Sequence, residues 1–468
     1  MNYIAFILTL LIASSYTTRV AILNDLHLDP YFDPAVVSQN DCRGPNPFSL
    51  LGMEESKFAP FGRYGCDVPV NLINLFMGHL NKTGGDIDVI LVSGDYTAHD
   101  IASKRGRSEP NYAMLKSIIS QNFAQYINPL FPDSIVIPAI GNNDVKFHYE
   151  FPTTEEDIED YYGFLYNLWW EQLEANSQYK GKKDIKKTLM NGGYFVYHHS
   201  DVLSFMAVNS LYFSVKNEKF PSKVSNEQLD WIEETLKNAD KNRKFIINMH
   251  VFPGMYNPGE KQQFWIDEFN NRFDNIMKKY GDKVLLLNGA HTHIADVRAS
   301  WTEDEETGDR KPYYANFVSP SFSPFYLNNP GFTIFDIDDE ENKIDDITTH
   351  FLQLDKTYSD TGDHIIEYHS VNFQEEFGIK EWSPQEIMEF GDRAKADDAL
   401  FKKFLVLKLG YRLDQEQEAL GVYSNLGMID FEDDNKLYWC FFEHIRSDNY
   451  DTCIGDSSSA GSFLKTSF

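Results

Sequence analysis

Five short segments of this sequence carry side chains of the kinds that bind divalent metal ions. Imidazole, carboxylate and amide oxygen together suit zinc, manganese or iron better than calcium. In an Asp-x-His or His-x-His segment the two ligands are two residues apart, so they lie on one side of an extended chain. The sequence therefore predicts a metal centre. In chain order, its candidate ligands are Asp25, His27, Asp95, Asn142, His250, His291 and His293.

Each segment follows a run of apolar residues that has the length of a β-strand. The clearest run is Val89–Val92, typical of a strand buried on both faces, which Ser93 and Gly94 end just before Asp95. In open α/β sheets, ligands bind at the carboxyl edge of the strands. A single polar residue at the end of a strand is common in folded proteins, but five such segments in this order indicate one common site. The other strands predicted at this edge are residues 19–23, 134–139, 245–249 and 284–287.

The remaining pattern predicts helices between the strands, as an α/β fold requires. Ser225 is expected to cap the helix at 226–238, and Ser383-Pro384 to mark the start of another. Residues 194–198 and 202–209 are expected to pair as antiparallel strands, and residues 317–338 and 344–354 as a hairpin that closes the sheet. From about Asp355 the chain is acidic and is expected to be helical. The other predicted helices are 70–80, 111–131, 156–179 and 263–280.

Composition indicates a large folded protein. The chain has 468 residues, of which 42% are hydrophobic and 15% aromatic, enough for one large catalytic domain with an appendage. The formal net charge of −29 argues against nucleic acid as a partner, because its phosphates would be repelled. The sequence does not define the oligomeric state.

The N-terminus predicts export. Residues 3–13 form an apolar run before Ser14 and Ser15, which resembles a signal peptide within residues 1–18. The alternative is a buried first strand. The run falls short of the about 20 residues of a membrane span, so no transmembrane anchor is expected. We expect a secreted protein or one of a lysosome-like compartment.

Four cysteines support that expectation. Three pairings are possible, and we favour Cys42–Cys66 and Cys440–Cys453 because each closes a short loop. Four free thiols in a cytosolic protein are the alternative. Asn81-Lys82-Thr83 is the one Asn-x-Ser/Thr sequon and a candidate glycosylation site.

The order of these motifs resembles the calcineurin-like metallophosphoesterases, and within them the acid sphingomyelinase-like phosphodiesterases. The resemblance covers most of residues 19–354 and, more loosely, the C-terminal helices. No saposin-like segment precedes the catalytic region, so the chain looks like the shorter relatives of the sphingomyelinase. The shared stretches are Asp25–Pro30, Phe61–Asp67, Gly94–Asp100, Ser319–Pro324 and Asn329–Gly331.

The resemblance implies a fold, a domain order and two metal ions. The expected fold is α/β, a four-layer αββα sandwich at residues 19–354, followed by a C-terminal helical subdomain with a polar tail at 355–468. The ions are expected to be Zn²⁺, with Mn²⁺ or Fe as alternatives. Asp25, His27 and His293 would bind one ion, Asn142, His250 and His291 the other, and Asp95 would bridge them.

The same resemblance implies a mechanism. Two such ions would lower the pKa of a shared water toward about 7, and the resulting hydroxide would attack phosphorus. His99, four residues after Asp95, would protonate the leaving oxygen.

The chain departs from the family pattern at two places. Asn143 stands where the family usually has a second catalytic His; Asn cannot act as a proton donor, but it can hydrogen-bond a phosphoryl oxygen. The endopolyphosphatases share this Gly-Asn-Asn-Asp motif with a His shortly after, here His148. Ala290 replaces a usual Gly, and Asp296 is displaced by one position, which leaves the partner of His293 undefined.

These observations favour a secreted phosphodiesterase that acts on a small-molecule or lipid-headgroup phosphodiester such as sphingomyelin or a nucleotide. Asn143 and His148 motivate an alternative, an endopolyphosphatase or phosphomonoesterase. A third hypothesis is a secreted protein that metals stabilise and that has no catalytic activity.

Overall fold

The computed structural model describes residues 17–36, 42–43, 58–101, 111–175, 182–217, 223–256, 262–304, 306–412 and 435–455. Most of the predicted signal peptide lies outside these ranges. Two six-stranded sheets form the centre of the molecule. Their strands are β1 Thr17–Leu23, β2 Val89–Val92, β3 Ile135–Pro138, β4 Phe195–His198, β5 Leu203–Val208, β6 Lys244–Met249, β7 Val284–Gly289, β8 Asp296–Glu303, β9 Arg310–Val318, β10 Gly331–Asp338, β11 Lys343–Leu352 and β12 Tyr368–Asn372.

Both sheets are mixed. The first has the order β12-β11-β10-β1-β2-β3, in which β1, β2 and β3 are parallel and β10 joins β1 antiparallel. The second has the order β4-β5-β6-β7-β9-β8, with parallel β5, β6, β7 and β9 between antiparallel edges. Among the parallel strands, β2 and β5 are buried along their whole length, as expected for a sheet covered on both faces.

Helices cover the outer faces of the two sheets. On the first sheet, the Phe76 ring of α1 packs edge-on against Phe332 of β10, with ring centroids 5.7 Å apart. On the second sheet, α7 packs against β9. The predicted α/β fold with two sheets between helices is confirmed. The helices are α1 Val70–Thr83, α2 Tyr112–Gln121, α3 Glu155–Ile158, α4 Phe164–Ala175, α5 Lys182–Gly192, α6 Lys223–Asn238, α7 Asp267–Tyr280, α8 Phe373–Phe377, α9 Pro384–Ala396, α10 Asp398–Lys408, α11 Asn435–Glu443 and α12 Ser447–Ile454.

The hairpin prediction at the end of the sheet was wrong in part. Residues 343–352 do pair with β10, but Phe317 belongs to β9 in the other sheet. The segment between them crosses from one sheet to the other, and its prolines and serines mark that break. The hairpin of β8 with β9 and strand β12 were missed, and β12 means that the chain after Asp355 is not wholly helical.

Helix starts were predicted with mixed success. Ser383 accepts a hydrogen bond from the Glu386 amide and Pro384 opens α9, as predicted. Ser225 does not cap α6, because the helix begins at Lys223 and the buried Ser225 hydroxyl donates to the Tyr212 carbonyl. Helix α7 begins at Asp267 instead of residue 263, because Trp265 bridges to Ser214 in extended form. Helix α5 was missed, and the helix predicted at 111–131 is interrupted by a π-helical turn at Asn122–Ile127.

Candidate metal centre

The parallel strands bring all seven predicted ligands to one edge of the two sheets. Each lies within a few residues of the carboxyl end of β1, β2, β3, β6 or β7, or in the loop that leaves it. Asn24, beside the first ligand, donates to the Gly289 and Ser319 carbonyls at 2.9 and 3.0 Å. These bonds link the end of β1 to the second sheet, so ligands from both sheets face each other.

The Asp95 carboxylate lies between the two groups of ligands. Its Oδ2 is 3.3 Å from His27 Nε2 and 3.2 Å from His250 Nε2. On one side, His293 Nε2 is 3.8 Å from Asp25 Oδ1. On the other, His250 Nε2 is 2.9 Å from Asn142 Oδ1. We call Asp25, His27 and His293 the first group of ligands, and Asn142, His250 and His291 the second group; Asp95 lies between His27 of the first and His250 of the second.

Three groups of side chains have ligand atoms close enough together to hold a metal ion. Every atom within such a group lies within 4.8 Å of the others. Among the residues that the structure describes, the groups are His27 with His99 and His293, Asp95 with His250 and His291, and Asp25 with His27 and Asp95. His99 enters the first group, although the sequence predicts a proton donor at that position.

The donor set fits a cation. His250 Nδ1 is 2.8 Å from the Ser93 carbonyl, and donation to that oxygen leaves an Nε2 lone pair. That lone pair faces two oxygen acceptors, from Asn142 and Asp95, so a cation or a proton must lie between them. The buried Nδ1 of His293 has no hydrogen-bond partner in the described part of the chain.

Buried carboxylates dominate the electrostatics of the site. Burial raises the pKa of Asp25 to about 6. Burial lowers the pKa of His27, but Asp67 and Asp95 outweigh it and raise that pKa to about 9. Asp95 likewise raises the pKa of His250 to about 9 against the effect of burial. The carboxylates therefore stabilise positive charge at His27 and His250, whereas burial lowers the pKa values of His291 and His293 and favours their neutral forms.

Two glycines, Gly94 and Gly141, allow the loop after β2 and the loop after β3 to approach each other closely. Gly94 has φ 89°, and a Cβ there would lie 2.4 Å from the Gly141 nitrogen. A Cβ on Gly141 would lie 2.1 Å from Asp95 Oδ1. Asp144 then holds both loops, since its carboxylate accepts from the Asp95, Tyr96 and Gly141 amides at 2.7–2.9 Å. The position of Asp95 depends on these contacts.

His99 is oriented by a residue that sequence reasoning missed. Asp67 accepts from the His99 amide at 2.8 Å, and its oxygens lie 3.0 and 3.1 Å from His99 Nδ1. Burial alone would raise the pKa of Asp67, but His99 and His27 lower it to about 2. A carboxylate at Nδ1 keeps the proton of that nitrogen in place and leaves Nε2 for proton transfer. The signal was the position of Asp67 next to Cys66 in the shared Phe61–Asp67 stretch.

Asn143 contacts Asp95. The backbone N–H of Asn143 donates to Asp95 Oδ1 at 2.8 Å, and its side-chain Nδ2 donates to Asp95 Oδ2 at 2.9 Å. His148 lies beside the second group, with Nε2 2.8 Å from Asn142 Nδ2.

Asp296 is not a partner of His293; it pairs with Lys408 Nζ at 3.0 Å. The chain thus uses Asp296 to attach a C-terminal helix.

A seam of buried polar side chains joins the sheets behind the ligands, and sequence reasoning missed it too. Ser93 donates to Asn248 Oδ1 at 2.7 Å, and Asn288 donates to Ser93 Oγ at 2.7 Å. All three side chains are fully buried and hydrogen-bonded. Asparagines two or three residues before His250 and His291 were the available signal.

Both predicted disulfides, Cys42–Cys66 and Cys440–Cys453, are present. The first lies beside the site, because Arg43 donates to the His99 carbonyl and pairs with Asp29. Asn81 is exposed in the last turn of α1. Within the ranges that the structure describes, no helix combines the length and hydropathy needed to cross a membrane.

The chain belongs to the calcineurin-like phosphoesterase family, whose sequence model matches residues 18–295. This family and the fold put it in the class of metal-dependent phosphoric ester hydrolases. The family assignment from the sequence motifs is confirmed.

Within that class, the chain is similar to sphingomyelin phosphodiesterase-like proteins. It is 28% identical to sphingomyelinase phosphodiesterase D of Dictyostelium discoideum over 63% of this chain and 62% of that protein. It is 24% identical to human acid sphingomyelinase-like phosphodiesterase 3b over 92% of this chain and 88% of that protein. It is also 24% identical to the cyclic GMP-AMP phosphodiesterase SMPDL3A of Bos taurus over 78% of this chain and 77% of that protein.

Proposed function

We propose that this protein is a secreted phosphodiesterase with a dinuclear metal centre. The observation that carries the proposal is the position of Asp95 Oδ2, 3.3 Å from His27 Nε2 and 3.2 Å from His250 Nε2. A carboxylate so placed can serve two cations at once. Asp25, His27 and His293 would hold one ion and Asn142, His250 and His291 the other.

The donor set of imidazoles, carboxylates and one amide favours Zn²⁺, with Mn²⁺ or Fe as alternatives. When bound, two such ions activate water and neutralise the phosphoryl oxygens of the substrate. Neutralisation matters here, because the protein's formal net charge is −29 and would otherwise repel a phosphodiester.

The protein's own residues orient the site and move the proton. Asp67 holds the His99 ring at Nδ1, so His99 Nε2 can give a proton to the leaving oxygen. Asn143 holds both oxygens of Asp95 and keeps that carboxylate in one orientation. Phe325 stacks on the His99 ring with centroids 4.2 Å apart and provides an apolar surface for the leaving group.

The substrate is proposed to be a phosphodiester, with sphingomyelin and nucleotide-type diesters as the candidates. Relatives named as sphingomyelin phosphodiesterases and as a cyclic GMP-AMP phosphodiesterase support both. We propose that residues 19–354 form the catalytic domain and that residues 355–468 form a C-terminal helical subdomain. Thr18 lies buried in β1 and donates to Asp339, so we place cleavage of the signal peptide before β1.

Export is supported by the two disulfides, and glycosylation by the exposure of Asn81. The measurement that tests the activity is hydrolysis of bis(p-nitrophenyl) phosphate and sphingomyelin, with and without chelator and added zinc or manganese. We expect metal-dependent cleavage that Asp95→Ala abolishes. Cleavage that persists in the chelated protein would overturn the proposal.

A polyphosphatase or phosphomonoesterase is the second candidate. The observation that favours it is His148, whose Nε2 is 2.8 Å from Asn142 Nδ2 and therefore lies beside the second group of ligands. Faster cleavage of polyphosphate or p-nitrophenyl phosphate than of the diesters would favour this candidate. Two bound metals with no cleavage of any substrate would favour the non-catalytic hypothesis.

A further inference from the structure

Lys216 is a cation at the rim of the metal centre. It lies in the loop that follows the 3₁₀ turn Ser210–Phe213, and its side chain is exposed. Its ammonium is 5.3 Å from the centre of the Tyr149 ring and 5.8 Å from that of Tyr256. Within the described ranges, no carboxylate lies within 4 Å of this ammonium. Its charge is therefore available to a ligand.

The tyrosine links Lys216 to the second group of ligands. The Tyr149 hydroxyl is 3.1 Å from His291 Nε2, and the Tyr149 ring also contacts His148 at 4.5 Å between centroids. His99 lies with the first group, stacked on His27 at 4.3 Å. The ammonium therefore lies on the side of the second group of ligands, and the proposed proton donor lies on the side of the first.

This separation gives the two substituents of a phosphodiester different surroundings. The leaving group must lie near His99, whose proton it takes, and beside the apolar ring of Phe325. The substituent that stays on the phosphorus can lie on the side of the second group, where the ammonium is 5.3 Å from the centre of the Tyr149 ring. In a protein with a formal net charge of −29, a cation without a carboxylate partner on that side attracts an anion.

We infer that Lys216 binds a second phosphoryl group on the retained part of the substrate. This inference rests on the proposed phosphodiesterase function and narrows its substrate class. The preferred substrate is a phosphodiester with an additional phosphate, as in a nucleotide carrying two phosphates. The quaternary ammonium of phosphocholine would be repelled at the same position.

The test compares two esters that differ in one phosphate. They are the p-nitrophenyl ester of thymidine monophosphate and the same ester with a second phosphate on the other sugar hydroxyl. Both release p-nitrophenolate, so the chemical step is the same. We expect the wild-type protein to have a KM roughly tenfold lower for the doubly phosphorylated ester, the value of one charge-assisted contact.

Lys216→Gln should bring the ratio of the two KM values close to one. Lys241→Gln is the matched control, because Lys241 is exposed in the turn after α6, away from the ligands, and should leave the ratio intact. A ratio that Lys216→Gln leaves unchanged overturns the inference. So does a wild-type protein with equal KM for both esters.

A third substrate tests the exclusion of phosphocholine. Lys216→Gln should raise the rate on p-nitrophenylphosphocholine relative to the doubly phosphorylated ester. An equal loss on all three substrates would mean that Lys216 only supports the loop and would overturn the inference. Failure of the metal-loaded wild-type protein to cleave any ester would instead contradict the proposed phosphodiesterase function, so the two failures are distinguishable.

Discussion

Five of the seven candidate ligands have a left-handed backbone. The φ values are 48° at Asp25, 39° at His27, 51° at Asp95, 75° at His291 and 63° at His293. A residue with a Cβ pays roughly 1–2 kcal/mol for this conformation, so the site stores strain that the rest of the fold must offset. The conformation turns the chain sharply at the strand ends and directs the side chains toward one another.

The Asp67–His99 pair gives the first prediction. Asp67→Asn should lower kcat by roughly 10²-fold for a substrate with an alkoxide leaving group, since a misoriented His99 donates its proton poorly. The loss should be much smaller for bis(p-nitrophenyl) phosphate, because p-nitrophenolate leaves without a proton. Steady-state kinetics on both substrates measure the difference.

The control for Asp67→Asn is Asp240→Asn, because Asp240 is an exposed aspartate two residues after α6. Equal losses of kcat on the two substrates would contradict the orienting role of Asp67. The metal content of Asp67→Asn is measured in parallel, so that a loss of ions is not taken for a loss of the proton donor.

Asp67 also shows what the sequence could not predict at this scale. The candidate ligands were predictable because each lies within four residues of the end of a β-strand. Asp67 lies 32 residues from His99, and Ser93 lies 155 residues from Asn248. No local pattern predicts pairs of this separation, because the folding of distant strands creates them.

At the scale of elements, the loops after β2 and β3 are packed backbone to backbone. Gly141→Ala should abolish metal binding and destabilise the protein by several kcal/mol, because the new Cβ would overlap Asp95 Oδ1. Gly78→Ala is the control: Gly78 lies in α1 with no atom within 4 Å of its would-be Cβ. That change should stabilise the protein by about 0.5–1 kcal/mol.

Urea unfolding and metal analysis of the two alanine variants test this prediction. A Gly141→Ala protein with wild-type stability and metal content would mean that the two loops are not as tightly packed as described.

His350, in strand β11 of the first sheet, should make the stability of the protein depend on pH. Burial and the neighbouring His79 lower the pKa of His350 to about 4, from an ordinary value near 6.5. Between these values the unfolded chain takes up a proton that the folded protein excludes. Stability is therefore fully present above about pH 6.5 and falls as the pH falls toward 4.

Between about pH 6.5 and pH 4, His350→Phe should lose roughly 1–3 kcal/mol less free energy of unfolding than the wild type. The reason is that Phe can stack on Phe332 as His350 does but cannot be protonated. Urea unfolding of both proteins at several pH values measures the slope. Parallel curves for the two proteins would show that His350 does not titrate in this way.

The sequence predicted the central strands of the sheets better than the edge strands. The strands 89–92 and 203–208 were predicted nearly to the residue because each is a buried apolar run. Strands β8 and β12 carry alternating or polar residues and pair at the edges, so their apolar signal is weak. The prediction of one hairpin from Phe317 failed because β9 and β10 belong to different sheets.

At the scale of the whole molecule, a buried ion pair attaches the C-terminal helices to the second sheet. Lys408 of α10 pairs with Asp296 of β8 at 3.0 Å, and both side chains are buried. Arg298 lies against the same carboxylate at 3.4 Å and over the Phe441 ring of α11 at 3.7 Å. These contacts begin three residues after His293, so the helices support the loop that carries two ligands.

Lys408→Met should destabilise the protein by about 3–5 kcal/mol, because it leaves Asp296 buried with only Arg298 as a charged partner. Lys403→Met is the control on the same helix: Lys403 pairs with Glu376 at the surface, where such a pair contributes about 0–1 kcal/mol. Chemical denaturation gives both values, and equal small effects would contradict the buried pair.

We propose that the shared edge of the two sheets holds two metal ions through Asp95. The most direct measurement is the metal content per chain, by mass spectrometry of the purified protein after dialysis, for the wild type and Asp95→Asn. We expect two equivalents of metal in the wild type, a large loss in Asp95→Asn, and wild-type metal content in Asp240→Asn. One equivalent or none in the wild type, or two retained by Asp95→Asn, would contradict the proposal.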